Sequence, residues 1–179
     1  MKRLVIVALG LCLLLGGVVS HHSVEAAANK KPIKIGALFA VTGPASFLGA
    51  PEEKTVRMLE NRINAGGGLL GRPVEVIIKD TQGSPEKAVS FAKQLIEEEQ
   101  VVALSGPPTS GETTQIKGLC QESEVPLVSC AAAEVITNPV ASYVFKTPQK
   151  DTQAITWIFN TMKDMGISKI AVVTSNAGF

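Results

Sequence analysis

The stretch Val101-Val-Ala-Leu104-Ser105-Gly106-Pro107-Pro108-Thr109-Ser110-Gly111-Glu112-Thr113 decides how this chain is read. Its apolar start predicts a β-strand over Val101–Leu104, the Gly-Pro-Pro run a loop, and the residues beyond it a helix that turns Ile116, Leu119 and Cys120 inward. A second apolar run, Pro126–Ser129, predicts the next strand. Strand, loop, helix and strand in that order call for parallel strands joined by a right-handed crossover, with the loop at the C-terminal end of the first strand.

Outward from this unit the same alternation continues. Upstream, Ile33–Phe39 reads as a strand ending in Thr42-Gly43-Pro44, and Val56, Leu59 and Ile63 mark a helix from about Pro51 to the glycine stop at Gly66-Gly67-Gly68. Val74–Ile78 is a strand. Ser84-Pro85-Glu86 starts a helix with Ala88, Phe91, Ala92, Leu95 and Ile96 on its apolar face. Downstream, Tyr143–Lys146 is a short strand, and a helix from about Asp151 carries Ile155, Ile158, Phe159 and Met162. A terminal strand covers Lys169–Thr174. The fold class expected is α/β, a doubly wound parallel sheet with its ligand crevice at the C-terminal ends of the strands.

Gly106 and Gly111 have the spacing of a phosphate-binding loop, between a strand and a helix. Where such a loop needs Lys to neutralise phosphates, this chain has Glu112, which repels them, so nucleoside triphosphates are excluded. What remains is a helix N-terminus with free backbone N–H groups, that of Gly111 among them, beside the Thr109 and Ser110 hydroxyls. This arrangement suits one small anion such as a carboxylate. The same residues also read as a plain helix cap worth about 1 kcal/mol, and the loop alone leaves both readings open. At the end of the neighbouring strand, Ser129-Cys130-Ala131-Ala132-Ala133 has side chains too small to screen its own backbone from a ligand.

The chain has 179 residues, 45% of them hydrophobic, with 17 Lys+Arg against 16 Asp+Glu and a formal net charge of +1. That balance leaves no basic surplus for a nucleic-acid partner. Met1-Lys2-Arg3 followed by the apolar run Leu4–Val19 reads as an export signal, with cleavage placed after Ala28, so residues 1–28 form a signal peptide and the protein is periplasmic. The only two histidines, His21 and His22, leave with it. Histidine-dependent nucleophilic catalysis and His-ligated zinc then lose their indispensable group, and the chain is read as a binding protein with no enzymatic activity, cofactor or metal. Cys120 and Cys130 are expected about 10 Å apart, as two small buried thiols and no disulfide. A last strand followed only by the loop Ser175–Phe179, with no helix to cover it, reads as part of a longer protein.

Taken together, Thr42-Gly43-Pro44 with Gly49, Ile63-Asn64-Ala65-Gly66-Gly67 with Gly71-Arg72-Pro73-Val74, Asp80-Thr81-Gln82 with Pro85, Gly106 with Ser110, and Val125–Ser129 resemble one known family. It is the Leu/Ile/Val-binding type of solute receptors serving ABC importers, with the type I periplasmic binding protein fold, and the likeness runs from Ile33 to Phe179. The resemblance implies two lobes that close on a hinge over a small ligand. Residues 29–147 would form the ligand-binding lobe and residues 148–179 the beginning of the second, entered at Thr147-Pro148.

The resemblance also implies that Thr109, Ser110 and Gly111 hold a ligand carboxylate, and that Ala131, Ala132 and Ala133 offer backbone partners. Leu48 of the Thr42–Gly49 loop would cover the ligand side chain, and Phe179 would close from the second lobe. Ala133 stands where a hydroxyl residue is often found and Leu48 where an aromatic is common; the family's familiar cysteine pair is absent. The partners implied are a small ligand, an amino acid of the branched-chain type or a related carboxylate, and a membrane permease, with the receptor itself a monomer. A ligand-sensing ectodomain of a receptor or regulator on the same fold is the alternative.

Overall fold

The computed structural model describes residues 30–174, so the predicted signal peptide and Phe179 lie outside the described residues. The strands are β1 (Ile33–Phe39), β2 (Val74–Asp80), β3 (Leu104–Ser105), β4 (Leu127–Ser129) and β5 (Val144–Lys146). The helices are α1 (Ser46–Ala65), α2 (Pro85–Lys93, continued by a wider turn over Gln94–Glu98), α3 (Ser110–Glu122) and α4 (Asp151–Asp164). One sheet is formed in the order β2-β1-β3-β4-β5, and β1/β3, β3/β4 and β4/β5 each pair in parallel. The sequence reverses direction across the sheet between β1 and β3, which is the switch point where ligands of such folds bind.

Residues 30–33 with 57–75 form a small compact unit, and residues 34–56 with 76–174 a larger one. In the small unit the Asn64 side chain donates to the Val74 carbonyl and accepts from the Val74 amide, both at 2.8 Å. Arg72 donates to the carbonyls of Lys31 (2.9 Å) and Pro32 (3.0 Å). These bonds give the Asn64–Val74 turn its shape.

The larger unit holds the core. Leu38, Leu95, Leu104, Ile116, Leu127 and Ile136 are fully buried, with Ala88 and Ala92 of α2 providing close approach to their neighbours. Each such leucine or isoleucine stabilises the fold by about 1.5–3 kcal/mol relative to exposure. Cys120 lies in this core, and burial pushes its thiol up to about 12. Glu99, at the end of α2, pairs with Lys34 at 2.9 Å.

Three expectations are corrected. The Val101–Leu104 strand is confined to Leu104–Ser105, and α1 begins at Ser46, so Pro51 lies inside the helix. Pro51 resembles a helix start in sequence, but the helix already runs one turn before it. No strand forms over Lys169–Thr174, where every residue is exposed. An apolar run becomes a strand only where an edge satisfies its N–H and C=O groups, and none of the described residues pairs with this one. Ile155, Ile158 and Phe159 of α4 remain about half exposed, because none of the described elements covers that face.

Candidate functional site

β3 stops after two residues because the chain must turn at once. Gly106 has φ +83°, and a Cβ there would collide with the Leu38 carbonyl, so only glycine fits. Pro107 and Pro108 follow, leaving no N–H to satisfy, and Thr109 caps α3. The Thr109 hydroxyl accepts from the Glu112 amide (3.4 Å) and donates to a Glu112 carboxylate oxygen (2.5 Å).

Three contacts then brace this loop against the one after β4. The Cys130 amide donates to the Pro107 carbonyl (3.1 Å), the Thr113 and Ser129 hydroxyls share a hydrogen bond (2.8 Å), and the Ala133 amide donates to Ser110 Oγ (3.3 Å). Lys146 of β5 completes the frame: its ammonium donates to the carbonyls of Ala132, Ala133 and Gln149. The Asp151 amide also donates to Ala132 (3.2 Å) and Asp151 Oδ1 accepts from Glu134 (3.1 Å), tying α4 to the same segment.

This bracing leaves a small set of donors free. Among the described residues, the amides of Ser110, Gly111 and Ala132 have no partner, and the Ser110 hydroxyl accepts a bond without donating its own proton. The amides of Ser110 and Gly111 lie in the first turn of the 13-residue helix α3, where the backbone carries partial positive charge. Beside them is a cavity of about 310 Å³, at the low end of the usual size for small-molecule sites. Leu48, Ser110, Ala131, Ala132 and Ala133 line it; Pro108, Cys130, Pro148 and Asp151 complete it. Larger hollows of about 620 and 510 Å³ lie along α4 and beside α2, without such a set of amides.

The structure therefore brings together five of the eight residues singled out from sequence, contributed by the segments after β1, β3 and β4. Thr109 is placed differently: its hydroxyl is committed to Glu112 and it does not line the cavity, so Thr109 is the helix cap while Ser110 is the hydroxyl residue that lines the cavity. Gly111 contributes an amide near the cavity but no surface to its wall. Leu48 is the one residue of the Thr42–Gly49 loop in the lining, because Thr42 turns away to Asp80. Burial alone would raise the Asp80 carboxyl, but the Thr42 hydroxyl (2.6 Å) and the amides of Thr42 and Gln82 outweigh it and hold Asp80 below its ordinary value.

Sequence reasoning missed Asp151 and misjudged Cys130. Asp151 is the one charged residue in the lining; as the first residue of a helix it carried only a helix-start signal. Cys130 is half buried and walls the cavity, and its thiol is free, as is that of Cys120. Burial, then the neighbouring Glu52 carboxyl, pushes the Cys130 thiol up to about 11, so it is protonated and a poor nucleophile at neutral pH.

The free amides at the α3 N-terminus lie at the C-terminal ends of the parallel strands, the position where folds of the doubly wound class carry their ligand crevice. Residues 32–179 match the periplasmic binding protein family, and the chain belongs to it. The Leu/Ile/Val-binding protein BraC3 of Rhizobium johnstonii is 26% identical over 152 residues, 82% of this chain and 40% of that protein. Among solved structures, the branched-chain amino acid transporter substrate-binding protein LivJ of Streptococcus pneumoniae, in complex with isoleucine, aligns with a TM-score of 0.65 and 32% identity. It covers 68% of this chain and 35% of its own. A solute-binding protein of an ABC transporter from Rhodopseudomonas palustris, in complex with 4-hydroxybenzoate, aligns with a TM-score of 0.73 and 25% identity over 83% of this chain and 40% of its own. The chain thus spans less than half the length of these relatives. No helix among the described residues is long and apolar enough to cross a membrane.

Proposed function

We propose that this chain is the first lobe, with the start of the second, of an extracytoplasmic solute-binding protein of an ABC importer. Its ligand is an amino acid of the branched-chain type or a related small carboxylate. The observation that carries this reading is the convergence of the unpartnered Ser110, Gly111 and Ala132 amides and the Ser110 hydroxyl on one cavity. A carboxylate there gains charge-assisted hydrogen bonds and the field of the α3 N-terminus, while Lys146 adds a positive charge behind the Ala132–Ala133 backbone. Asp151, across the cavity, is placed to take a ligand ammonium, and Leu48 to meet an apolar side chain.

In this reading residues 1–28 direct export to the periplasm, residues 29–147 form the lobe that first meets the ligand, and residues 148–179 open the second lobe. Phe179 would approach the ligand from there. Closure of the lobes about a hinge presents the loaded, monomeric receptor to its permease. Relatives solved with isoleucine and with 4-hydroxybenzoate support both ligand classes.

Thermal-shift titration of the folded chain with L-leucine, L-isoleucine and 4-hydroxybenzoate at millimolar concentration tests the reading. One class should raise Tm, and Ser110→Ala should weaken that ligand about tenfold, the loss of one hydrogen bond to a charged group. No rise with any of the three, under conditions where the chain melts cooperatively, would overturn it.

A further inference from the structure

The loop after β4 spends its backbone donors almost completely. The Cys130 amide donates to the Pro107 carbonyl (3.1 Å), Ala131 to the Ser129 hydroxyl (3.1 Å), Ala133 to Ser110 Oγ (3.3 Å) and Glu134 to Asp151 Oδ1 (3.1 Å). Within this run only the Ala132 amide is left without an acceptor among the described residues. Three consecutive alanines have no polar side chain with which to hold such an arrangement, so it is held from outside.

The carbonyls show by what. That of Ala132 accepts from the Lys146 ammonium and from the Asp151 amide (3.2 Å); that of Ala133 accepts from the same ammonium (3.4 Å) and from the Ile136 amide (3.3 Å). Lys146 reaches both because β5 runs parallel to β4 with Lys146 opposite Ser129, where β4 ends and the loop begins. Its third acceptor is the Gln149 carbonyl (3.4 Å), on the segment that leads into α4. No carboxylate of the described residues lies within ion-pair distance of this ammonium. A half-buried lysine bonded only to carbonyl oxygens, two of them from residues of the cavity wall, keeps its charge uncompensated beside that wall.

We infer that Lys146 is a positioning residue for the ligand: by holding the Ala132 and Ala133 carbonyls it keeps the backbone around Ala132 in the orientation that leaves the Ala132 amide available to an anion. This rests on the carboxylate reading of the cavity, and Lys146 acts through the Ala132 backbone. The peptide group between Ala132 and Ala133 is planar, so it is fixed at both ends, its C=O by Lys146 and the Asp151 amide and its N–H by Ser110. Without the ammonium one of these anchors is gone, and the order lost from the loop has to be restored when a ligand binds.

The test compares Lys146→Met, which keeps an apolar stem and removes the donors, with Lys146→Arg, which restores them. Lys150→Met is the control: it removes the same charge from the neighbouring segment and breaks the ion pair to Glu134 (3.1 Å). L-isoleucine and 4-hydroxybenzoate are titrated into each chain and followed by amide-resolved NMR. For whichever probe binds the unmutated chain, Lys146→Met should weaken binding about tenfold and Lys146→Arg should recover most of the loss. Lys150→Met should stay within about twofold, as expected of a solvent-accessible ion pair. Without ligand, the Ala133 amide should exchange with solvent faster in Lys146→Met than in the unmutated chain. An unmutated chain that binds, with Lys146→Met equally tight or Lys150→Met equally damaging, overturns this inference and leaves the carboxylate reading standing; one that binds neither probe overturns both. If Lys146→Met does not fold, the Lys146 ammonium signal of the unmutated chain decides: it should shift on titration with the midpoint of the Ala132 amide, and an ammonium indifferent to the probe overturns the inference.

Discussion

The two loops after β3 and β4 and the helix α4 have similar apolar content nearby but opposite fates. In the loops, the Thr113 and Ser129 hydroxyls bond to each other and the Ala133 amide donates to the Ser110 hydroxyl, next to the buried Leu104 and Leu127. In α4 no residue is buried and Trp157 is 76% exposed, although the helix has proper hydrophobic periodicity. Periodicity makes a helix; a partner surface makes it part of a core. The unpartnered amides of Ser110, Gly111 and Ala132 belong to the braced region, where backbone donors can be held in place without being consumed.

The contrast should be sharpest in the cores of the two regions. Leu104→Ala or Leu127→Ala should cost about 2–5 kcal/mol in chemical denaturation, through lost burial and a residual cavity. Next comes Gly106→Ala, expected to cost about 1–3 kcal/mol from the left-handed backbone and the clash with the Leu38 carbonyl. Thr109→Ala should cost about 0.5–2 kcal/mol as a lost cap that also strips Glu112 of its donor, whereas Ser110→Ala should leave stability nearly unchanged while weakening ligand. A smaller effect attaches to Asp80. Its lowered value means that its stabilising bonds to Thr42 are present above the ordinary 3.8 and are lost as pH falls through the folded value, by about a few tenths of a kcal/mol at this largely exposed site. Acid melts of wild type and Asp80→Asn should show that slope in the first and not in the second. At the bottom of the scale, Phe159→Ala in α4 should change stability by less than about 0.5 kcal/mol, and a loss like that of Leu104→Ala would break the comparison.

Much of this was legible in the residues. The alternation of strands and helices, the anion-ready turn before α3 and the small-residue segment 131–133 follow from periodicity and turn chemistry, which are local. The division of labour between Thr109 and Ser110 was not legible, because two adjacent hydroxyl residues at a helix start have the same local signal. Only the position of Glu112 relative to Thr109, and of Ala133 relative to Ser110, separates the cap from the hydroxyl that lines the cavity. Pro51 misplaced the start of α1 because proline marks a first turn in most sequences and here lies beyond it. Ile170–Val173 reads as a strand from its side chains, yet strand formation depends on an edge that no sequence window contains.

The central claim is that the braced turn, with its three unpartnered amides, is the carboxylate site. Amide-resolved NMR titration of the chain with L-isoleucine and with 4-hydroxybenzoate tests it most directly. For whichever ligand binds, the account predicts that Ser110, Gly111 and Ala132 move furthest and saturate together, and that Ser110→Ala suppresses all three responses. If the largest changes fall instead on α4 around Trp157, or on the Glu86–Val89 face of α2, with those three amides still, the account is contradicted.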